Sequence, residues 1–184
     1  MNKKWILASI GSALALIGFF YFFFYSENIS LAKEAAPSKD AAPAINSAAI
    51  NELPNLTLTQ TDGSKIALRE LGGQVSIIFF NSECDHCQTE AKSISEKKAS
   101  FANQHLYFVS NESTNLIARF AAAYKLEQSN FHFCQVDPSS VYNAVGPLDM
   151  IPTIFAYKDK KLVKRFDGQT SVEDLLNVFV SNNQ

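Results

Sequence analysis

The feature that most constrains this chain is an apolar run that leads directly into a Cys-x-x-Cys pair. Residues 75–80 read Val-Ser-Ile-Ile-Phe-Phe and predict a buried central strand, and Cys84 and Cys87 follow after a short turn. The residues after Cys87 predict a helix over roughly 89–103. Two thiols at a helix N-terminus meet unpaired backbone N–H groups and the positive end of the helix dipole, which favour a thiolate. The pattern indicates a thiol–disulfide exchange site.

The N-terminal segment has a different character. Residues 5–25 carry no charge, and at about 1.5 Å per residue they would span roughly the 30 Å hydrocarbon core of a bilayer. Lys3 and Lys4 precede this stretch, so the positive-inside bias places the N-terminus in the cytoplasm and the following chain outside. We therefore expect a single-pass anchor over 1–25 and an extracytoplasmic, periplasmic-side domain. A cleaved signal peptide is the alternative, although its apolar region is usually shorter.

The remaining chain divides by composition. Residues 26–53 are rich in alanine, contain two prolines and lack aromatics, which predicts a flexible tether. Residues 54–184 are long enough for one domain with its own core. Basic and acidic residues nearly balance, with 16 Lys and Arg against 18 Asp and Glu in the whole chain. No basic patch stands out, so nucleic acid is not an expected partner.

Strand and helix patterns alternate along the domain. An Asp-Gly turn joins two alternating segments into an N-terminal hairpin, and strands then alternate with amphipathic helices before a second hairpin near the C-terminus. This order predicts an α/β domain with a central mixed sheet and helices on both faces. Beyond the strand at 75–80 and the helix at 89–103, we expect strands at 56–60, 65–68, 106–109, 131–136, 153–157 and 162–166. We expect helices near 116–124, 138–144 and 172–179, with Leu116 in the apolar stripe of the first and with Asp137 and Ser171 capping the other two.

With these motifs in place, the chain resembles the thioredoxin-fold, membrane-anchored TlpA/ResA-type thiol–disulfide oxidoreductases. The resemblance rests on the strand that precedes Cys84-x-x-Cys87, on Glu90 three residues further, on the segment Ile151-Pro152-Thr153, and on an elongated middle region. It covers roughly 53–180, and the anchor and tether fit it as well. The proline-threonine-cysteine signature of peroxiredoxins is absent before the first cysteine, so peroxidase activity is not expected.

The resemblance implies a role for each site residue. Cys84 is the exposed attacking thiol, Cys87 resolves the mixed disulfide, and Glu90 manages protons, with a solvated helix carboxylate as the plainer interpretation of Glu90. A cis Ile151–Pro152 bond and Thr153 would lie opposite the thiols and receive an extended client strand. We expect no organic cofactor and no metal, because the redox-active group is the Cys84–Cys87 disulfide itself.

The charges around the thiols bear on the direction of exchange. A protonated His86 would stabilise a thiolate, but nearby carboxylates such as Glu83 and Asp85 oppose this. We therefore expect a reductant or isomerase in preference to a strong oxidant. The expected partners are protein clients with thiols or disulfides, for example apocytochrome c during cytochrome c maturation, and a membrane-embedded electron donor or acceptor.

Two other classes of function remain open. A copper metallochaperone would use Cys84, Cys87 and a histidine, and His132 and Cys134 share a predicted strand face that would suit such use. Cys134 also fits a small buried apolar residue. The last class is a binding module that keeps the thioredoxin scaffold without its chemistry.

Overall fold

The computed structural model describes residues 51–180, which form one seven-stranded mixed sheet with helices on both sides. The strands are β1 (Thr57–Gln60), β2 (Lys65–Ala67), β3 (Gln74–Phe79), β4 (Gln104–Ser110), β5 (Phe131–Gln135), β6 (Thr153–Lys158) and β7 (Lys161–Asp167). Their order across the sheet is β2-β1-β5-β4-β3-β6-β7. The central strands β3, β4 and β5 are parallel, and antiparallel strands extend the sheet on either side. The predicted fold class is confirmed for this part of the chain.

Within residues 51–180, four α-helices connect or follow the strands, and one short 3-10 turn follows β2 and another follows the first helix. They are α1 (Asp85–Glu96), α2 (Thr114–Ala123), α3 (Pro138–Val145) and α4 (Val172–Asn177), with 3-10 turns at Leu68–Glu70 and Lys98–Phe101. Local signals in the sequence explain several helix ends. Asp137 caps α3 by accepting from the Ser140 backbone N–H, and Ser171 caps α4 by accepting from Asp174. Gly146 ends α3 with a φ of 79°, a conformation that glycine adopts without strain.

The sheet separates two apolar layers. We call the first the α1 side, where α1, α2 and α4 pack on side chains such as Ile78 and Phe108. We call the second the α3 side, where α3 packs on side chains such as Ile77 and Val109, in one layer with side chains from the N-terminal hairpin. Side chains alternate along each strand, so β3 and β4 contribute to both layers. This explains why the run at 75–80 is apolar apart from Ser76.

Some boundaries and one core assignment differ from prediction. The first long helix begins at Asp85 and ends at Glu96, whereas the sequence predicted 89–103. The helix begins at the residue after Cys84, and the chain tightens into a 3-10 turn after Lys97. Leu116 was expected in the apolar stripe of α2 but is 38% exposed, because the buried stripe runs through Ile117 and Phe120.

The anchor predicted over 1–25 and almost all of the tether at 26–53 lie outside the described residues. Among residues 51–180, no helix is long and apolar enough to cross a membrane.

Candidate thiol–disulfide site

The turn between β3 and α1 places Cys84 at the N-terminus of the helix. The Asn81 side chain accepts from the Glu83 backbone N–H at 2.9 Å, and the Cys84 N–H donates to the Asn81 carbonyl at 3.2 Å. Cys84 is the N-cap residue, with extended backbone dihedrals, and its carbonyl accepts the first helical hydrogen bond from Gln88. Its side chain does not cap the helix. The first-turn N–H groups of α1 therefore lie where a thiolate on Cys84 would benefit from them.

Cys84 faces the loop before β6. Its thiol is half-buried, and its Sγ lies 3.7 Å from the carbonyl oxygen of Ile151. The Ile151–Pro152 peptide bond is cis, which confirms that prediction. Thr153 is buried, and its hydroxyl donates to the Met150 carbonyl, so it belongs to the support of this loop. Ile151 itself is 37% exposed beside the Cys84 thiol.

Cys87 lies one turn into α1, beneath Cys84. Its side chain is only 3% exposed, and burial raises the pKa of the Cys87 thiol to about 12. The backbone N–H of Asn81 acts in the opposite direction, while the neighbouring Cys84 and Glu90 raise the pKa further. Both cysteines carry free thiols. The Cys87 thiol is thus held protonated and shielded from solvent.

Glu90 lies on the buried face of α1, three residues after Cys87. It is 1% exposed, so the interpretation as a solvated helix carboxylate is wrong. One carboxylate oxygen, Oε2, accepts from the Thr170 N–H at 2.8 Å, and Oε1 has no hydrogen-bond partner among residues 51–180. Burial raises the pKa of Glu90 to about 7, although the Thr170 bond opposes this. A carboxyl with this pKa can take up or release a proton near neutral pH.

His86 points away from the sheet towards the loop between β7 and α4. It is exposed, and its Nδ1 lies 3.3 Å from the Gln169 side-chain oxygen. Together with Met150, Ile151 and Gly168, these two residues line an open cleft of about 730 Å³. The structure therefore brings His86 to the rim of a cleft beside the thiols.

Sequence reasoning missed a clamp on the turn before Cys84. The Glu112 carboxylate accepts from the Ser82 backbone N–H at 2.8 Å and from the Ser82 hydroxyl at 2.5 Å. It also accepts from the Ser110 hydroxyl at 3.0 Å, and the Gln88 side-chain amide donates to the Ser82 carbonyl. Parallel strands end at the same edge of a sheet. Because β3 and β4 are parallel, an acidic residue just beyond β4 was the sequence signal for a partner of the turn that follows β3.

His132 and Cys134 do not join this site. Cys134 is fully buried on the α3 side, and burial raises the pKa of its thiol to about 12. The His132 ring stacks on Tyr107 on that same side, whereas Cys84 and Cys87 pack on the α1 side. The sheet lies between the two sets, so neither residue is placed to share a ligand with the Cys84–Cys87 pair.

The family profile that matches this chain is that of the AhpC/TSA family, over residues 50–165. The chain belongs to the AhpC/TSA family. A search of curated proteins found no significant match.

Solved structures agree on a thioredoxin-like fold. A secreted Mycobacterium tuberculosis disulfide oxidoreductase homologous to E. coli DsbE is 16% identical, with 73% of this chain and 98% of that chain covered and a TM-score of 0.59. A thioredoxin-like protein from Aeropyrum pernix is 18% identical, covering 69% and 89% with a TM-score of 0.55. A peroxiredoxin-like protein from Aquifex aeolicus is 15% identical, covering 71% and 85% with a TM-score of 0.58. At these identities the likeness shows the fold alone.

Proposed function

We propose that this protein is a membrane-tethered, extracytoplasmic thiol–disulfide oxidoreductase of the TlpA/ResA type that acts on protein clients. The observation that carries the proposal is the pairing of a half-buried Cys84 thiol at a helix N-terminus with a buried Cys87 thiol one turn below it. A buried carboxyl with a pKa near neutrality lies on the same helix. One accessible and one shielded thiol are what sequential exchange requires.

The first step is attack by the Cys84 thiolate on a client disulfide. One new bond forms between Cys84 Sγ and a client sulfur, and the second client sulfur leaves as a thiolate that takes a proton from water. The helix N-terminus stabilises the attacking thiolate. The client chain passes the exposed Ile151, whose backbone carbonyl faces Cys84 Sγ at 3.7 Å, and the buried Pro152 and Thr153 hold this binding segment in place.

The second step releases the client. Cys87 loses its proton, attacks Cys84 Sγ and displaces the remaining client sulfur, which leaves the client with two thiols and the protein with a Cys84–Cys87 disulfide. The raised pKa of Cys87 means that this proton needs an acceptor. Glu90 is the candidate acceptor, because it is buried on the same helix face and its charge acts on Cys87.

Direction and partners complete the proposal. Glu83 and Asp85 flank Cys84 and oppose formation of its thiolate, and the one nearby histidine, His86, contacts Gln169. We therefore place the protein on the reducing side, with roles such as cytochrome c maturation or disulfide repair. The disulfide would be reduced again by a membrane-embedded dithiol donor. The anchor over 1–25 would hold the domain at the membrane surface where such a donor lies.

The experiment measures reduction of a disulfide-bonded model protein by the full-length chain in detergent. We expect exchange to be lost in Cys84→Ser and retained in Cys134→Ser, which removes the third thiol without touching the site. Retained exchange in Cys84→Ser would refute the proposal. The copper content of the protein after growth in copper tests the metallochaperone alternative. Whether Cys84→Ser still captures clients in the absence of exchange tests the binding-module alternative.

A further inference from the structure

Two histidines meet at the edge of the sheet opposite the thiols. His105 lies near the start of β4, in register with Val75 on β3, whereas Cys84 follows the end of β3. His132 lies on the neighbouring parallel strand β5. His105 Nδ1 and His132 Nε2 are 3.4 Å apart, and the proposed exchange chemistry uses neither.

The two nitrogens are in hydrogen-bond contact, and their separation also matches that of two ligands on a tetrahedral metal ion. Histidine nitrogens bind Zn²⁺ at about 2.0–2.1 Å, and two such ligands at a tetrahedral angle lie about 3.4 Å apart. Imidazole is also a preferred ligand of other late first-row metals.

A relay of hydrogen bonds fixes which nitrogen of His132 is available. Ser64 Oγ donates to Asp62 Oδ1 at 2.6 Å, so it accepts from the Gln60 amide nitrogen, also at 2.6 Å. This contact turns the Gln60 oxygen towards His132 Nδ1, which lies 3.3 Å away. An amide oxygen only accepts, so Nδ1 carries the hydrogen and the lone pair of Nε2 faces His105. Metal-binding histidines are usually oriented in this way by a carbonyl or carboxylate.

The surroundings of the pair keep one ring fixed and the other adaptable. The half-buried His132 ring stacks on buried Tyr107 with centroids 4.5 Å apart and an angle of 16°. The exposed His105 ring lies nearly parallel to that of His132, with centroids 5.7 Å apart and an angle of 15°, so only a solvent-exposed ring has to turn for both nitrogens to bind one ion.

We propose that His105 and His132 form a two-imidazole site for a divalent transition-metal ion of the Zn²⁺ class, with Gln60 as the residue that orients His132. Among residues 51–180, His, Cys, Asp and Glu side chains form no group of three or more that could hold a metal. Water therefore completes the coordination, and the ion exchanges readily.

The test is calorimetric titration of Zn²⁺ into the full-length chain at pH 7, without a histidine tag. The chain carries Cys84→Ser and Cys87→Ser so that the thiols do not compete. We expect one Zn²⁺ per chain. His105→Ala and His132→Ala should each weaken binding by at least about tenfold. The chain has three histidines, so His86→Ala is the matched control and should bind as the parent does.

Variants of Gln60 test whether metal binding depends on the orientation of His132 or only on the proximity of two histidines. Gln60→Ala should weaken Zn²⁺ binding about 10- to 100-fold, and Gln60→Glu, which keeps an acceptor oxygen, should restore it. Circular dichroism of each variant verifies that the fold is kept. Parent affinity in His105→Ala or His132→Ala, or no saturable binding by a folded parent, would overturn the proposal.

Discussion

The two sides of the sheet each bury one cysteine, and they differ in what surrounds it. Cys87 on the α1 side and Cys134 on the α3 side are almost fully buried, and burial raises the pKa of each thiol to about 12. Cys87 has a second thiol one turn away and a buried carboxyl on its helix. Cys134 sits among apolar side chains in the middle of β5.

Under the proposed function, this difference means that burial of a thiol does not by itself make a redox site. A shielded thiol becomes useful when an accessible thiol can reach it and a nearby group can take its proton. The α1 side supplies both, and it places them at the end of β3, where a client can approach. Substitutions on the two sides of the sheet test this contrast.

The largest effect should come from Cys84. We expect Cys84→Ser to abolish disulfide exchange completely, because a hydroxyl does not attack a disulfide under these conditions. Cys134→Ser should keep the parent rate. The measurement is the rate of client thiol formation. Equal losses in both variants would mean that Cys134 takes part in the chemistry and that the contrast is wrong.

Removing the resolving thiol should stop the reaction half-way. In Cys87→Ala, Cys84 still attacks, but nothing displaces the client, so a mixed disulfide between client and Cys84 should accumulate. Mass spectrometry of the trapped adduct measures this. Cys134→Ala should trap no adduct. In Cys87→Ala, an adduct linked through Cys134 would contradict the assignment.

Glu90 should make stability depend on pH. Its pKa of about 7 exceeds the ordinary value of 4.5, so the folded protein binds the proton more tightly than the unfolded chain. Stability from this group is therefore complete below pH 4.5 and is lost as the pH rises to 7, by about 3 kcal/mol. Glu90→Gln has no titratable group at this position. Its free energy of unfolding should therefore rise relative to that of the parent as the pH increases from 4.5 to 7.

Urea denaturation at several pH values measures that gain. Cys134→Ala should follow the parent curve, displaced but parallel, because it leaves Glu90 intact. Parallel curves for Glu90→Gln and the parent would show that the buried carboxyl does not titrate in this range.

The Glu112 clamp should have a moderate effect confined to the α1 side. Glu112→Ala leaves the Ser82 N–H and hydroxyl without their acceptor, which should cost about 1–3 kcal/mol and slow exchange by loosening the turn before Cys84. Glu112→Gln retains an acceptor oxygen and should recover part of both losses. An unchanged exchange rate in a destabilised Glu112→Ala would show that the clamp serves folding alone.

The smallest effect should be that of Cys134 on stability. Cys134→Ala removes one buried sulfur from a packed layer and should cost about 1 kcal/mol, with no change in exchange rate. Thermal unfolding measures it. A loss of several kcal/mol would give Cys134 a structural role beyond filling space.

Local patterns in the sequence predicted most of the fold, while contacts between distant residues escaped them. The Asp137 and Ser171 caps and the apolar strands are local signals, and the structure bears them out. The start of α1 was misplaced because Cys84 stands where a usual capping residue would. The Glu90–Thr170 and Glu112–Ser82 contacts join residues 80 and 30 positions apart, so only the folded chain reveals them.

The most direct test of the central claim is the reduction potential of the full-length chain in detergent, from equilibration with glutathione and mass-spectrometric counting of thiols. A reductant that uses Cys84 and Cys87 should have a potential near or below about −270 mV, with Cys134 remaining a free thiol throughout. A potential near about −120 mV would mark an oxidant and contradict the reducing role.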